Sequence, residues 1–312
     1  MQRISSIPCF HSLSTLQRQN HLSRSVTQFQ SRQGFGNLAN VTRKVPQLNA
    51  PTLSHAQDHT HLLNVHEGLQ KCGILKISLG FSDDRSQYLQ DLIVGLHKCH
   101  GHELPITHSS SRGWFWDVRP SSTFQSHNQQ ARSETMEEFP WHTDCSYEDP
   151  LPRFFALHVL QHDRYGGGVL SVLSVDKLSD FLSPATRLAL LQPEYCISVP
   201  PEFVKNSNQK NVIGSILAAD EERRSNLMRY RADIMAPMSE RAFVALEELA
   251  RALRQFQVQT QSVIHLTPNL LPQGSIILLD NRRWLHARSH INDPERHLRR
   301  VRWGAIPFTS IG

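Results

Sequence analysis

The chain has 312 residues, 39% of them hydrophobic, and a formal net charge of +5. That length suffices to bury a core, and no apolar run approaches the roughly 18 residues of a transmembrane helix. The charge is local: residues 1–57 hold no acid but carry Arg3, Arg18, Arg24, Arg32, Arg43 and Lys44, so the remaining 27 bases and 28 acids nearly cancel. A basic folded surface for nucleic acid is therefore not expected.

Residues 1–57 are also rich in Ser, Gln and Asn. They read as a disordered or targeting tail of the mitochondrial type, which points to a cytoplasmic or mitochondrial protein. Cys9, Cys72, Cys99, Cys145 and Cys196 are odd in number and irregular in spacing, so a disulfide framework is not expected. One domain is expected over 60–310. Its first strand falls within "GILKISLGF", and a helix follows in "SQYLQDLIVGLHKC" with Leu89, Leu92, Ile93 and Leu96 on one face. The cluster "HKCHGHE" (97–103) reads as the exposed end of that helix. "RGWFWDVRP" reads as a strand ending at Pro120, with Trp114 and Trp116 on one face, and 121–138 as an exposed loop. Strands are expected at 153–161 and 166–175, then a short helix at 183–191 with Ser183 as N-cap and Pro184 in its first turn. A longer amphipathic helix starts at Ser239, with Phe243, Leu246, Leu249, Ala250 and Leu253 on its apolar face. "SIILLDNRRWLHAR" reads as a buried strand, a turn and a histidine, and 298–308 as a late strand. Strands dominate after residue 139, which suits a mainly β barrel or jelly roll with inserted helices. No phosphate-binding glycine loop occurs; "GGG" at 166–168 lacks the lysine and the helix it would need.

The chemistry concentrates in three places. "FPWHTDCSYED" presents His142 and Asp144 two residues apart, which on a strand share a face while Thr143 and Cys145 point away. His286 supplies a third ligand. Two histidines and one carboxylate can hold a non-haem iron and leave positions open, whereas a structural zinc would want a closed set of four. Arg296 and Arg300 follow, and a buried guanidinium needs an anion such as a carboxylate, which it meets through two parallel hydrogen bonds. 2-Oxoglutarate, chelating the metal at one end and meeting Arg300 at the other, fits. Arg299 and Arg302 read as a solvated strand face. Trp114, Trp116 and Arg119 are candidate substrate residues, against ordinary core packing or a surface salt bridge.

"PWHTD", "LLDNRRWLHAR" and "RHLRRVRW" together resemble the taurine dioxygenase-like family of Fe(II)/2-oxoglutarate oxygenases, which includes clavaminate synthase. The resemblance covers about 70–308. It implies a double-stranded β-helix (jelly-roll) core, Fe(II) on His142, Asp144 and His286, Arg300 on the distal carboxylate of 2-oxoglutarate, and Arg296 near its other carboxylate. It also implies dioxygen as oxidant, release of succinate and CO2, and a small-molecule substrate, with no nucleic-acid or membrane partner and the oligomeric state open. Asp144 is lost in halogenating relatives, so its presence favours hydroxylation or a related oxidation. One departure concerns the hydroxyl that helps the family hold 2-oxoglutarate: its position is Val169 here, with Ser171 as the nearest substitute. Rival readings are a zinc-dependent hydrolase on the same triad, which leaves the arginines without a role, and a catalytically silent cupin-like binding protein.

Overall fold

The computed structural model describes residues 45–106, 113–121, 130–204, 210–220, 225–258 and 262–308. Residues 43–312 form one compact unit. In chain order the strands are β1 (Gln47–Ala50), β2 (Ile74–Leu79), β3 (Phe115–Val118), β4 (Phe139–His142), β5 (Leu151–Gln161), β6 (Leu170–Ser174), β7 (Tyr195–Ser198), β8 (Asn211–Gly214), β9 (Leu217–Asp220), β10 (Ser225–Met228), β11 (Met235–Pro237), β12 (Val263–Leu266), β13 (Ser275–Asp280), β14 (Trp284–Arg288) and β15 (His297–Ile306). The helices are α1 (His59–Cys72), α2 (Gln87–His100), α3 (Val175–Ser179), α4 (Pro184–Leu190) and α5 (Glu240–Val258).

Two sheets make the core. The larger has the order β1-β2-β13-β5-β15-β3 and the smaller β12-β6-β14-β4. Every pairing in them is antiparallel except β1 with β2. Alternation along the strands sorts side chains to two faces. Phe155, Leu157, Ile277 and Leu279 of the larger sheet meet Leu170 and Val172 of the smaller in one apolar cluster between them. The opposite face of the larger sheet, with Ala156, Ile276, Leu278, Val301 and Trp303, carries α1 and α2. The opposite face of the smaller sheet, with Leu173 and Leu285, packs against α4, α5 and the three-stranded sheet β11-β7-β8. This is the expected jelly roll, with its helices on the outside.

Local chemistry explains the outer helices. The Asp58 carboxylate accepts from the His61 amide at 2.7 Å and caps α1. Leu89, Leu92, Ile93 and Leu96 of α2 are fully buried, which stabilises the layer by about 1.5–3 kcal/mol per side chain. Ser183 caps α4 as expected, accepting from the Thr186 amide at 3.2 Å.

Three expectations are corrected here. The folded chain starts before residue 60: β1 pairs with β2 in parallel, and a 3-10 turn spans Leu53–Gln57. The rest of the expected tail, 1–44, lies outside the described residues. Trp114 and Trp116 do not share a face. Trp114 precedes β3 and packs against the helix layer, while Trp116 is buried between the sheets. Along α5 the buried stripe is Ala242, Ala245, Leu249, Ala252 and Leu253; Phe243 is 50% exposed. The expected late strand is β15, which runs in the larger sheet between β5 and β3, while β14 with His286 belongs to the smaller sheet.

Candidate active site

His142 is the last residue of β4, and Asp144 lies beyond the strand, in the turn that follows. His286 sits within β14, opposite His142 on one side and Val172 on the other. All three residues are buried, and one ligand atom from each lies within 4.8 Å of the others. Asp144 Oδ1 is 3.9 Å from His142 Nε2 and 3.7 Å from His286 Nε2. Two ligands on one metal at about 2.1 Å and near right angles lie about 3 Å apart, so small side-chain movements close the set.

Each side chain is held by its surroundings. The Nδ1–H of His142 donates to the Pro140 carbonyl at 2.7 Å, which leaves the Nε2 lone pair facing Asp144. The Phe139 ring stacks on the same imidazole, 3.6 Å between centroids and 11° between planes. Thr143 turns away, as expected: its hydroxyl accepts from the Tyr230 amide at 3.0 Å. Cys145, with φ +55°, is buried in the cluster with Trp141 and Tyr147. Asp144 is fixed through its backbone. Its amide donates to Asn281 Oδ1 at 2.7 Å, and Asn281 Nδ2 donates to the carbonyls of Asp144 at 2.9 Å and Pro152 at 3.0 Å.

The electrostatics suit a divalent cation. Burial, reinforced by His286, pushes the His142 imidazole well below its ordinary value, so the ring is neutral. Burial alone would raise the Asp144 carboxyl, but Arg300 and then His286 beside it hold it well below the usual carboxylate range. Asp144 Oδ2 and His286 Nδ1 are buried without a partner among the described residues. A neutral His142 ring, a second imidazole and one carboxylate, buried together, are a donor set that fits Fe(II).

Two cavities meet at this cluster. One, of about 410 Å³, is walled by Val118, Phe155, Leu157, Leu170 and Leu298 and reaches Arg288, Arg296 and Arg300. The other, of about 360 Å³, is lined by Arg132, Arg231, Arg300, Arg302, Tyr147 and Phe203. Arg296 is buried, which pulls its guanidinium down to about 9. Its Nη2 donates to the Gly168 carbonyl at 3.1 Å, and its Nη1 has no partner among the described residues. Arg300 Nη1 donates to Asp144 Oδ1 at 3.1 Å.

Other expected site residues fall elsewhere. Ser171 lies opposite Ala287 and His265, on the face away from the cavity, and its hydroxyl bonds His265 Nδ1 at 2.8 Å. It is therefore not positioned to hold a co-substrate. Trp116 lies opposite Arg300 on the inward face, while Trp114 and Arg119 line neither cavity. Arg299 is half-buried and pairs with Asp117 at 2.9 Å; Arg302, expected in solvent, is buried on the inward face with Arg300. Asn281 and Phe139 were not singled out from the sequence. Only their proximity to "LHAR" and "WHTD" hinted at them.

A jelly roll with two histidines and a carboxylate converging between its sheets is the architecture of 2-oxoglutarate-dependent non-haem iron oxygenases. The chain belongs to the taurine catabolism dioxygenase TauD, TfdA family, whose model matches residues 100–302. It is 30% identical over 151 residues to an L-asparagine oxygenase of Streptomyces coelicolor. That match covers 48% of this chain and 41% of the relative, so the chain spans less than half of that relative's length. In fold it resembles an asparagine oxygenase solved with Fe(II), 2S,3S-3-hydroxyasparagine and succinate, at a TM-score of 0.63, 17% identity and coverage of 84% of this chain and 94% of the other. It also resembles the non-haem iron oxygenase OrfP solved with Fe, succinate and (3S)-hydroxy-L-Arg, at a TM-score of 0.61, 16% identity and coverage of 84% and 86%. Among the described residues no helix is long and apolar enough to cross a membrane.

Proposed function

We propose that this protein is an Fe(II)/2-oxoglutarate-dependent dioxygenase that hydroxylates a small organic molecule and releases succinate and CO2. The observation that carries the reading is the buried convergence of His142, Asp144 and His286 beside the unpartnered Arg296 Nη1. His142 and His286 would supply neutral nitrogens and Asp144 one carboxylate oxygen. When bound, the iron with its co-substrate supplies the oxidising power for a C–H bond, with dioxygen as the oxidant. The protein's part is to bind, orient and exclude water. The apolar wall of Phe155, Leu157 and Leu170 keeps the larger cavity dry.

On this reading the distal carboxylate falls to Arg296 rather than, as expected from the sequence, to Arg300. Arg300 lies against a proposed ligand, 3.1 Å from Asp144, which is too close to the metal for the far end of a five-carbon diacid. Arg296 lies beside Gly168 and lines the same cavity as the triad. Arg296 thus takes the distal carboxylate of 2-oxoglutarate, and Arg300 faces the second cavity, where the substrate sits. Because the relatives include oxygenases of asparagine and arginine derivatives, amino acids are the first substrates to try.

The test is anaerobic addition of 2-oxoglutarate to the Fe(II)-loaded protein. A weak visible charge-transfer absorption is expected, and Arg296→Ala weakens it. Tight zinc binding with no such absorption sinks the proposal.

A further inference from the structure

A third cavity, of about 350 Å³, adjoins the larger one at the triad and shares Leu170, Arg296 and Leu298 with it. It opens where β5 and β15 run out. Val159 lies opposite Leu298 but Gln161 opposite His297, so β5 carries one residue more than β15 between these pairs. The extra residue reverses the alternation of β5. His162, not Gln161, therefore follows Leu157 and Val159 toward the inner face. His162 and Arg296 are the next residues on the two chains, and both line the third cavity.

A buried carboxylate has two oxygens, and each needs a donor. Arg296 has one to give here. Its Nη2 is committed to the Gly168 carbonyl at 3.1 Å, and its Nε packs on Gly168, where an added Cβ would stand 2.5 Å away. That leaves Nη1. Among the described residues lining the third cavity, two buried side-chain atoms lack a partner: Arg296 Nη1 and His162 Nδ1. The wall adds no hydroxyl, since Val169 is apolar and Ser171 faces away. Asp163 lines the same cavity, but its carboxylate accepts from the amides of Tyr165 at 2.9 Å, Asn292 at 2.7 Å and Asp293 at 3.1 Å and is the partner of neither. One anionic group between Nη1 and Nδ1 would satisfy both.

We propose that His162 is the second binding group for the distal carboxylate of the co-substrate, with Arg296 Nη1 on one oxygen and His162 Nδ1–H on the other. The proposal rests on the Fe(II)/2-oxoglutarate reading of the site. The imidazole donates from Nδ1 when that nitrogen carries the ring hydrogen, and it does the work of the missing hydroxyl. Donors from the ends of two neighbouring strands fix the plane of the carboxylate as well as its position. His162 thereby selects a 2-oxo diacid over a 2-oxo acid with an apolar tail, because the latter would leave both donors unpaired.

The experiment uses the full chain loaded anaerobically with Fe(II). 2-Oxoglutarate is titrated in parallel with 2-oxopentanoate, which has a methyl group where the distal carboxylate stands, following the charge-transfer absorption. His162→Leu is expected to raise the half-saturation for 2-oxoglutarate about tenfold, the equivalent of one charge-assisted hydrogen bond, and to leave 2-oxopentanoate and Fe(II) affinity unchanged. His162→Asn, whose amide nitrogen stands near the position of Nδ1, restores most of the loss. Thermal unfolding confirms that each variant is folded and reads the same loss as a smaller stabilisation by 2-oxoglutarate. If the leucine variant does not fold, His162→Gln, polar but with its amide one bond further out, carries the same expectation against His162→Asn. Unchanged affinity for 2-oxoglutarate overturns the proposal, and so does an equal weakening of both 2-oxo acids. Failure of the site reading is a separate result, since the absorption would then not form with the unaltered protein.

Discussion

Substituting Gly168 by Ala tests the co-substrate site through a residue that touches neither metal nor ligand. Gly168 has φ +61°, and a Cβ built on it would lie 2.5 Å from Arg296 Nε and 2.6 Å from its Cδ. The left-handed conformation alone costs an L side chain roughly 1–2 kcal/mol. The contact also falls on the middle of the arginine side chain, which is buried and has no solvent route of escape. Arg296 must shift, losing its bond to the Gly168 carbonyl and its aim at the cavity. A charge-assisted hydrogen bond is worth about 1.5–3 kcal/mol, so the affinity for 2-oxoglutarate should fall by roughly 10- to 100-fold. Fe(II) affinity should hold, because none of the three proposed ligands touches Gly168. The assay is anaerobic titration of 2-oxoglutarate into the Fe(II)-loaded variant, with thermal unfolding to confirm that it is folded. In an Arg296→Ala background the glycine substitution should add nothing further to the affinity loss. A folded Gly168→Ala variant with unchanged affinity would falsify the placement of the distal carboxylate on Arg296.

Other outcomes follow from the same geometry. Adding Fe(II) or Mn(II) at about 100 times its dissociation constant should stabilise the protein by about 2.7 kcal/mol, and Asp144→Ala should abolish the shift in anaerobic thermal unfolding. Asn281→Asp replaces the amide that donates to the Asp144 and Pro152 carbonyls with an acceptor that repels them. Metal affinity should drop at least about tenfold, more than in Tyr88→Phe, which removes a buried hydroxyl remote from the site. Stability should also decline in mild acid. Burial pulls His158 down to about 4, against about 6.5 in an unfolded chain. Between those values only the unfolded chain takes up the proton, so stability is whole above pH 6.5 and falls by about 3 kcal/mol from His158 alone on reaching pH 4. His102, pulled down to about 3 by burial and then by His66, acts in the same direction. Urea midpoints that stay flat between pH 7 and 4.5 would contradict this.

The parts of the site that could be read from the sequence were those carried by residue identity. His142, Asp144 and His286 announce themselves by ligand chemistry, and Arg296 and Arg300 by their need for an anion. What failed was direction. Asp144 comes close to His142 because the chain turns after β4, not through strand alternation, and Asn281 rather than the strand holds it there. Ser171 was misjudged because facing depends on register, and register is set by partners far away in sequence: Val172, not Ser171, pairs with His286. Arg302 was within reach of the alternation rule, since whatever Arg300 faces Arg302 faces too; its charge argued for solvent and misled. β1 alternates only Leu48 and Ala50 with polar residues, too short a pattern to stand out, and joins the sheet only through β2, so the start of the folded chain was set too late.

The turn between β13 and β14 has a bearing on how the protein opens. Asp280 donates its amide to the Gly73 carbonyl, Arg283 reaches the carbonyls of Gln70 and Lys71, and the Trp284 indole donates to Cys72, all at the end of α1. Asn281, between them, grips Asp144. Fraying of α1 and release of the carboxylate therefore share one set of bonds. Hydrogen exchange at the Asp144 amide should track that of the last turn of α1, as one cooperative unit, and metal binding should slow both together. An outer helix on the far side of the sheet would then feel whether the iron site is filled.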